Sequence, residues 1–151
     1  MKIQIEVFTM DLVKEMLPML EIHRQELSAY QDMPLKPDWE KYLALEKLDM
    51  FKCFTVRTDN DDLVGYAWFG IMPNMHYMDY TYAIADILYI SQRYRGHFLG
   101  PKLIKFTEKY FKENTNVSVI IQKVKLAHNW GKLLTALDYK TVELSFQKRI
   151  Q

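Results

Sequence analysis

The sequence of 151 residues contains a single cysteine, Cys53, so a disulfide within the chain is excluded. No apolar run approaches the length of about 20 residues that spans a bilayer. The first residues alternate between polar and apolar side chains and lack the continuous apolar segment of a signal peptide. We therefore expect a soluble cytoplasmic protein in which Cys53, placed in the apolar run FKCFTV, is a buried structural thiol.

Neither sign of charge dominates, because 20 lysines and arginines stand against 19 aspartates and glutamates, for a formal charge of +1. This balance gives no global argument for binding nucleic acid or an anionic membrane, so any basic site must be local. Glycine and proline are sparse, at five each, and no repeat, low-complexity segment or domain linker is evident. We expect a single domain over residues 1–151 with a substantial core.

Hydrophobic periodicity predicts the order strand, two helices, three strands, helix, strand, helix, strand. Asp11 and Asp38 are expected to cap the first two helices, and Pro18 is expected to kink or restart the first. The strands are predicted at residues 2–8, 51–57, 63–71, 82–90, 117–123 and 141–149, and the last two helices at residues 98–111 and 129–137.

The fifth predicted strand, VSVIIQK, is expected to be buried, and the alternating final segment is expected to close the sheet. The helix between the fourth and fifth strands makes one βαβ unit with parallel neighbours. The second and third strands form a hairpin around the turn at residues 59–62. We therefore predict an α/β fold with a twisted, mixed and mostly antiparallel sheet, about four helices and one central βαβ unit.

The turn inside this βαβ unit is the most informative part of the chain. The apolar run at residues 84–90 ends at a short basic segment containing Arg93, Arg95, Gly96 and Gly100, and an amphipathic helix follows. The first backbone N–H groups of a helix lack intrahelical partners, and the helix dipole favours negative charge there. A strand that leads through such a turn into a helix is typical of an anion-binding site.

The order of elements and this turn together resemble the GNAT superfamily of acyl-CoA-dependent N-acyltransferases, in the style of small phage or bacterial members. Arg95, Gly96 and Gly100 match the family's turn R-G-x-G-x-G/A, and residues 128–139 look like its last helix. The resemblance implies that acetyl-CoA is the co-substrate and that the helix N-terminus faces its pyrophosphate. It also implies backbone contacts from Leu88 and Ile90 to the pantetheine arm.

The implied acetyl-CoA-binding residues are Leu88, Ile90, Arg93, Arg95, Gly96, His97, Phe98, Leu99, Gly100, Lys102, Asn129 and Lys132. For several of these residues the sequence also allows an interpretation that involves no binding of acetyl-CoA. Arg93, Arg95 and Lys132 are also consistent with solvated surface charges, and His97 with an exposed side chain. Asn129 is equally consistent with a helix cap.

Three residues depart from the family pattern. Phe98 replaces the central glycine of the turn, so its side chain must turn away for the backbone to approach a phosphate. Asp138 replaces a glycine after the last helix, a mild change because aspartate tolerates left-handed geometry. Leu134 stands where many members carry a tyrosine that protonates the departing thiolate, so another group or water must do so here.

Acyl transfer from a thioester to an amine needs a proton acceptor for the ammonium and a proton donor for the thiolate. Asp86 is the predicted base, with Asp79 as an alternative and Glu143 more remote, and Tyr89 is the candidate acid. A period of two places Asp86 on the strand face of Leu88 and Ile90, with Tyr89 opposite. A hydrogen-bonded strand aspartate and a packed strand tyrosine are the ordinary alternatives.

No metal site is expected, because His23, His76, His97 and His128 have no ligand spacing with cysteine or carboxylates. G-x-S-x-G, P-loop and dinucleotide-binding patterns are also absent from the sequence. The Met- and Tyr-rich segment 72–82 is expected to border the acceptor site, or else to pack on the first two helices or at a homodimer contact.

The function that the resemblance implies is transfer of an acetyl group from acetyl-CoA to an amine of a small molecule or protein. The expected route is direct attack within a ternary complex. The alternative is a degenerate relative with weak or no catalysis that acts as an interaction module, for instance in a virion or on a host. Phe98 and Leu134 favour that alternative.

Overall fold

The computed structural model describes residues 1–96 and 98–151. Within these residues the chain forms five strands and four α-helices. They are β1 (Lys2–Glu6), α1 (Met10–Leu27), α2 (Trp39–Lys47), β2 (Phe51–Arg57), β3 (Leu63–Pro73), β4 (Thr81–Ile90), α3 (Leu99–Asn114), β5 (Val117–Ile121) and α4 (Gly131–Ala136). Short 3-10 turns lie at Gln92–Tyr94 and Leu126–His128.

The five strands form one sheet in the order β1-β2-β3-β4-β5. The first three pairings are antiparallel and the pairing of β4 with β5 is parallel, with α3 as the crossover helix. The predicted mixed, mostly antiparallel sheet with one βαβ unit is therefore confirmed.

β4 and β5 pair over only part of their length. Residues Thr81 to Ile84 of β4 align with Val117 to Ile121 of β5, and the pairing then stops. In the described part of the chain, the second half of β4 therefore has a strand neighbour only on the β3 side. This divergence leaves a gap at the sheet edge that leads directly into the turn before α3.

The sheet carries a hydrophobic core on each face. On one face Phe54, Phe69, Leu103 and Phe111 pack around α3. The other core joins α1 and α2 to the sheet through Phe8, Met16, Phe51, Cys53, Trp68 and their neighbours. The Cys53 side chain is fully buried, as predicted, and burial raises the pKa of its thiol.

The starts of the two N-terminal helices differ in how they are capped. Asp38 Oδ1 accepts a hydrogen bond from the Lys41 N–H at 3.0 Å, which confirms its predicted role. The cap of α1 is Thr9, whose hydroxyl accepts from the Leu12 N–H at 3.2 Å, so the prediction of Asp11 was wrong. α1 also continues through Pro18, whose ring lies on the exposed side of the helix while neighbouring turns pack on the sheet.

The C-terminal segment corrects two predictions. Residues 141–149 form no strand, and Val142, Leu144 and Phe146 are 82%, 77% and 94% exposed. Because no strand of the described chain covers its outer edge, β5 is half-exposed rather than buried. Among the described helices, none has both the length and the hydropathy that crossing a bilayer would require.

Candidate active site

The turn between β4 and α3 is built on two residues with positive φ. Gly96 has φ 86°, and no heavy atom lies within 4 Å of the position that a Cβ would occupy there. Phe98, the residue before α3, has φ 55°. Since the first N–H groups of α3 have no intrahelical acceptor, the turn offers hydrogen-bond donors beside open space. These features fit a phosphate group.

Phe98 adopts the left-handed geometry that a glycine would supply at its position, with φ 55° and ψ 16°. A bulky side chain rarely enters this region, because its Cβ crowds the following carbonyl. Its ring is 77% exposed. The side chain has therefore turned toward solvent, as the sequence required, and the turn keeps a glycine-like backbone at the cost of local strain.

Arg95 is held by protein groups on three sides. Its Nε donates to the carbonyl oxygen of Ile90 at 2.8 Å, and its Nη2 donates to Oε2 of Glu26 at 2.6 Å. The guanidinium carbon lies 5.2 Å from the centroid of the Tyr89 ring. Arg95 also donates its backbone N–H to the carbonyl of Gln92 at 3.2 Å. Arg95 therefore braces the turn against α1 and β4, a contact that local sequence did not indicate.

Arg93 and Lys102 border a second cavity. Together with Met1, Ile3, Tyr94 and Leu99 they line a cavity of about 470 Å³. This cavity reaches β1, which is at the opposite edge of the sheet from β5.

α4 packs close to the turn. A Cβ built on Gly100 would lie 3.9 Å from side-chain carbons of both Ile90 and Leu133, so the start of α3 meets the end of β4 and α4. Asn129 lies one residue before Trp130, the N-cap of α4, and its Oδ1 accepts a hydrogen bond of 2.9 Å from the N–H of Gly131, the first residue of that helix. Lys132 is exposed in the first turn of α4. His97 lies outside the described residues.

Asp86 occupies a β-bulge in β4. Trp68 of β3 pairs with Ile87, the next residue Phe69 pairs with Ala85, and Asp86 is left without a partner on β3. The extra residue reverses the alternation of the β4 side chains between the two faces of the sheet. Leu88 packs with the α3 core and Ile87 with the α1–α2 core, while Asp86 contacts α2. The prediction that Asp86 shares a face with Leu88 and Ile90 was therefore wrong.

The Asp86 carboxylate lies in a cavity of about 450 Å³ at the mouth of the gap. Oδ2 of Asp86 accepts a hydrogen bond of 2.6 Å from the Tyr42 hydroxyl. Burial and this bond raise the pKa of Tyr42, so the hydroxyl stays protonated and donates. The sequence indicated Tyr42 only as apolar surface of α2. The cavity is lined by Pro37, Asp38, Lys41, Tyr42, Leu45, Phe51, Gly70, Met72, Ile84, Asp86 and Lys123.

Tyr89 lies on the same side of the sheet as Asp86 but is tied to other partners. It is 4% exposed, and its ring stacks on His23 with centroids 4.7 Å apart. Its hydroxyl lies 3.5 Å from Oε1 of Glu26, and burial raises the pKa of Tyr89. Burial also lowers the pKa of His23 to about 4, and its Nδ1 lies 3.1 Å from the Tyr66 hydroxyl. This placement matches a packed strand tyrosine.

The other acidic candidates lie outside the cavity lining. Asp79 is exposed in the loop between β3 and β4, and Glu143 lies in the exposed C-terminal segment. Leu134 is buried on α4. Asp138 has φ 65°, as the sequence predicted, and the Tyr139 N–H closes the end of α4 on the Leu134 carbonyl at 3.0 Å.

The Met- and Tyr-rich segment is divided between the end of β3, the loop that follows it and the start of β4. Met72 belongs to β3 and lines the Asp86 cavity. Residues 74–80 form the connecting loop, in which Asn74 Oδ1 accepts from the N–H groups of His76 and Tyr77. Met75 at the loop tip is 98% exposed, so the loop tip does not pack on α1 or α2.

In residues 1–96 and 98–151, no group of three or more His, Cys, Asp or Glu side chains is placed to hold a metal ion. The lining of the Asp86 cavity brings together two carboxylates, those of Asp38 and Asp86, two lysines, Lys41 and Lys123, and the Tyr42 hydroxyl donor.

Comparisons with known proteins give a consistent result. The model of a family described as the acetyltransferase (GNAT) family matches residues 16–129. Among curated protein sequences, none gives a significant match. A ribosomal-protein-alanine N-acetyltransferase from Brucella melitensis biovar Abortus 2308 has a similar structure, with a TM-score of 0.72 and 18% identity over 99% of this chain and 100% of that one.

Two further solved structures are similar over nearly their full length. An aminoglycoside acetyltransferase from an uncultured soil metagenomic sample, in complex with sisomicin, has a TM-score of 0.71 and 14% identity, covering 99% of this chain and 97% of that one. An acetyltransferase from Trypanosoma brucei has a TM-score of 0.73 and 13% identity, covering 99% of this chain and 100% of that one. At these identities the likeness establishes the fold.

Proposed function

Because this chain belongs to the acetyltransferase (GNAT) family, we propose that it transfers the acetyl group of acetyl-CoA to an amine by direct attack within a ternary complex. The observation that carries this proposal is the divergence of β4 from β5. The gap gives a thioester access to the Asp86 cavity at one end, and the turn before α3 offers phosphate donors at the other.

In this proposal acetyl-CoA lies along the second half of β4. The N–H groups of Phe98, Leu99 and Gly100 hold the pyrophosphate, whereas Pro101 has no N–H to give. The pantetheine arm adds to the free edge of β4 near Leu88 and Ile90, as an extended peptide adds to a sheet edge. Arg95 acts by fixing the turn rather than by touching a phosphate.

The chemistry requires one proton acceptor in the cavity. The acceptor ammonium gives a proton to the Asp86 carboxylate, which the Tyr42 hydroxyl holds in place. The freed amine attacks the thioester carbonyl, whose developing charge a backbone N–H stabilises. A C–N bond forms and the C–S bond breaks, and the second proton that the nitrogen loses as the amide forms passes through water to the departing CoA thiolate. Tyr89 is too enclosed by His23 and Glu26 to serve as the acid.

The charge of the cavity favours an acceptor with one ammonium group. Its lining contains the carboxylates of Asp38 and Asp86 and the ammonium groups of Lys41 and Lys123, so the four formal charges cancel. A polycationic ligand would need an excess of carboxylates. We therefore propose a peptide amine or a small monoamine in preference to a polyamine such as sisomicin, the ligand of one structural neighbour.

Calorimetric titration with acetyl-CoA tests the placement of the co-substrate. Wild type should bind, and Gly96→Trp should lose binding because its side chain fills the open space at a backbone with φ 86°. Leu48→Trp, at an exposed position after α2, is the matched control and should bind normally. Unchanged affinity in Gly96→Trp would refute the turn as the pyrophosphate site.

A second candidate function is an interaction module without catalysis. Leu134 in place of an acid and the exposed Met75 and Met78 at the β3–β4 loop favour it. Absence of acetyl-CoA binding by wild type at millimolar ligand would support this alternative. Binding accompanied by CoA thiol release in the presence of a monoamine peptide, measured with a thiol reagent, would support the transferase.

A further inference from the structure

We infer that the acceptor in the Asp86 cavity is a free α-amino acid with an apolar side chain, bound between the carboxylate of Asp86 and the ammonium group of Lys123. This assignment rests on the proposed function, because it names the substrate class of the same site. It narrows the acceptor from any amine with one ammonium group to a small zwitterion. The positions of the two charged residues, their lack of a partner ion and the apolar part of the lining support it.

Asp86 and Lys123 occupy equivalent positions on two diverging segments. The parallel pairing of β4 with β5 ends at Ile84 and Ile121. Asp86 lies two residues beyond Ile84, and Lys123 lies two residues beyond Ile121. Both side chains line the same cavity. The end of the strand pairing thus places a carboxylate and an ammonium group on the two sides of the gap, at its mouth.

Neither of these charges is neutralised by an ion of opposite sign. Among the residues that the structure describes, the ion pairs include neither Asp86 nor Lys123, nor Lys41, the second lysine of the cavity. The other carboxylate of the lining, that of Asp38, accepts from the backbone N–H of Lys41 as the cap of α2. Opposite charges that line one cavity without pairing are complementary to a ligand that carries both signs.

A zwitterion satisfies both charges at once. Its ammonium group donates to the Asp86 carboxylate, whose Oδ2 already accepts from the Tyr42 hydroxyl at 2.6 Å. Its carboxylate accepts from the ammonium group of Lys123 and, from the side of α2, from that of Lys41. The N-terminus of a peptide supplies only the ammonium group, because the neighbouring carbonyl belongs to an amide. A free amino acid therefore complements the cavity better than a peptide does.

Much of the remaining lining is apolar. Leu45 from α2, Met72 from β3 and Ile84 from β4 contribute aliphatic surface to the cavity of about 450 Å³. Gly70 adds no side chain, and a Cβ built there would meet only the terminal methyl group of Met72, at 4.0 Å. Space beside aliphatic side chains favours an apolar side chain on the ligand, while the few polar groups fix its orientation.

Transfer changes the charge of the acceptor. The nitrogen of the amino acid forms a C–N bond to the acetyl carbon while the C–S bond breaks. The nitrogen loses one proton to Asp86 and another, through water, to the CoA thiolate. The product is an N-acetyl amino acid, which keeps its carboxylate and has no ammonium group. It therefore retains its contact with Lys123 and loses its ionic contact with Asp86, which favours release.

Calorimetric titration with leucine in the presence of CoA tests the substrate class without requiring turnover. Leucine should bind about tenfold more tightly than leucinamide, which lacks the carboxylate, because a charge-assisted contact contributes about that factor. Lys123→Gln should remove most of this preference. Lys125→Gln, at an exposed lysine outside the cavity lining, should retain it. Leucinamide or glycine binding as tightly as leucine would overturn the inference, as would an unchanged preference in Lys123→Gln.

Turnover distinguishes a failure of this inference from a failure of the proposed function. Release of the CoA thiol from acetyl-CoA should have a kcat/KM about tenfold higher with leucine than with a peptide amide that begins with leucine. Release with the peptide amide but not with leucine would leave acetyl transfer intact and overturn the zwitterion. Preferential binding of leucine without thiol release from any amine would support the zwitterion site and refute acetyl transfer.

Discussion

The carboxylate of Glu26, in the last turn of α1, accepts a hydrogen bond of 2.6 Å from Nη2 of Arg95 in the turn before α3. Both side chains are about one-quarter exposed, so the ion pair is partly shielded from water. Arg95 also donates to the carbonyl of Ile90 at 2.8 Å. The N-terminal helix thus holds the end of β4 and the candidate phosphate turn in one arrangement, across 69 residues of sequence.

Glu26→Gln should weaken acetyl-CoA binding about tenfold, since loss of a charge-assisted hydrogen bond loosens the turn by roughly 1.5 kcal/mol. Titration calorimetry measures the affinity. Glu21→Gln, on the same helix but paired with Arg24, is the control and should bind as wild type does. In a double-mutant cycle, Glu26→Gln and Arg95→Gln should be less than additive. Additive losses would show that the pair does not act as a unit.

Phe98→Gly should stabilise the protein by about 1 kcal/mol, because glycine removes the left-handed strain and the lost ring is largely solvent-exposed. Urea unfolding measures the change. The affinity for acetyl-CoA should also rise, since a smaller side chain lets a phosphate approach the backbone. Phe146→Gly, which removes an exposed ring at a residue without positive φ, should give no stabilisation. A destabilised Phe98→Gly would show that the ring packs favourably where it is.

Asp86→Asn should lower kcat by about 10²- to 10⁴-fold, the usual contribution of a general base, with little change in the KM for acetyl-CoA. Tyr42→Phe should lower kcat by about tenfold, because the carboxylate loses the hydroxyl that orients it. Steady-state kinetics with a monoamine acceptor gives both values. Asp79→Asn, in the exposed loop, should leave kcat unchanged. The reverse ranking of Asp79 and Asp86 would place the base in the loop.

The hydrogen bonds of the buried Arg57 to two glutamates predict how the stability of the protein depends on pH. It is hydrogen-bonded to Glu6 and Glu15 at 2.7 Å each. Burial acts to raise the pKa of Glu6, but hydrogen bonds from Arg57, Thr55 and Gln4 together lower it from 4.5 to about 2. Since the folded pKa is below the unfolded one, the stabilisation is complete above pH 4.5 and is lost as the pH falls toward 2.

Glu6→Gln should therefore be less stable than wild type at pH 7 by about 2 kcal/mol, and the difference should disappear near pH 2. Urea unfolding at a series of pH values measures this dependence. Glu40→Gln, an exposed residue of α2, should show no such difference. A difference that stays constant down to pH 2 would mean that packing, and not the charge of Glu6, accounts for the loss.

Local patterns predicted most of the elements but not the contacts between them. The range of β2, the cap at Asp38 and the left-handed turn at Asp138 each follow from residues close in sequence. The pairing of Glu26 with Arg95 and of Tyr42 with Asp86 joins residues 69 and 44 positions apart, which no local pattern reports. Residues 141–149 have a strand pattern, but a strand also needs a neighbour, and the sequence of one chain does not say where that neighbour lies.

The bulge at Asp86 makes the register of the sheet depend on a charge. If β4 ran without the extra residue, Asp86 would join Leu88 and Ile90 on the face that packs against α3. A carboxylate without a partner in that core would cost several kcal/mol. The same negative charge proposed to accept a proton from the acceptor amine thus also disfavours a slipped pairing of β3 and β4. Neutralising it, as in Asp86→Asn, should make the strand offset less uniquely defined.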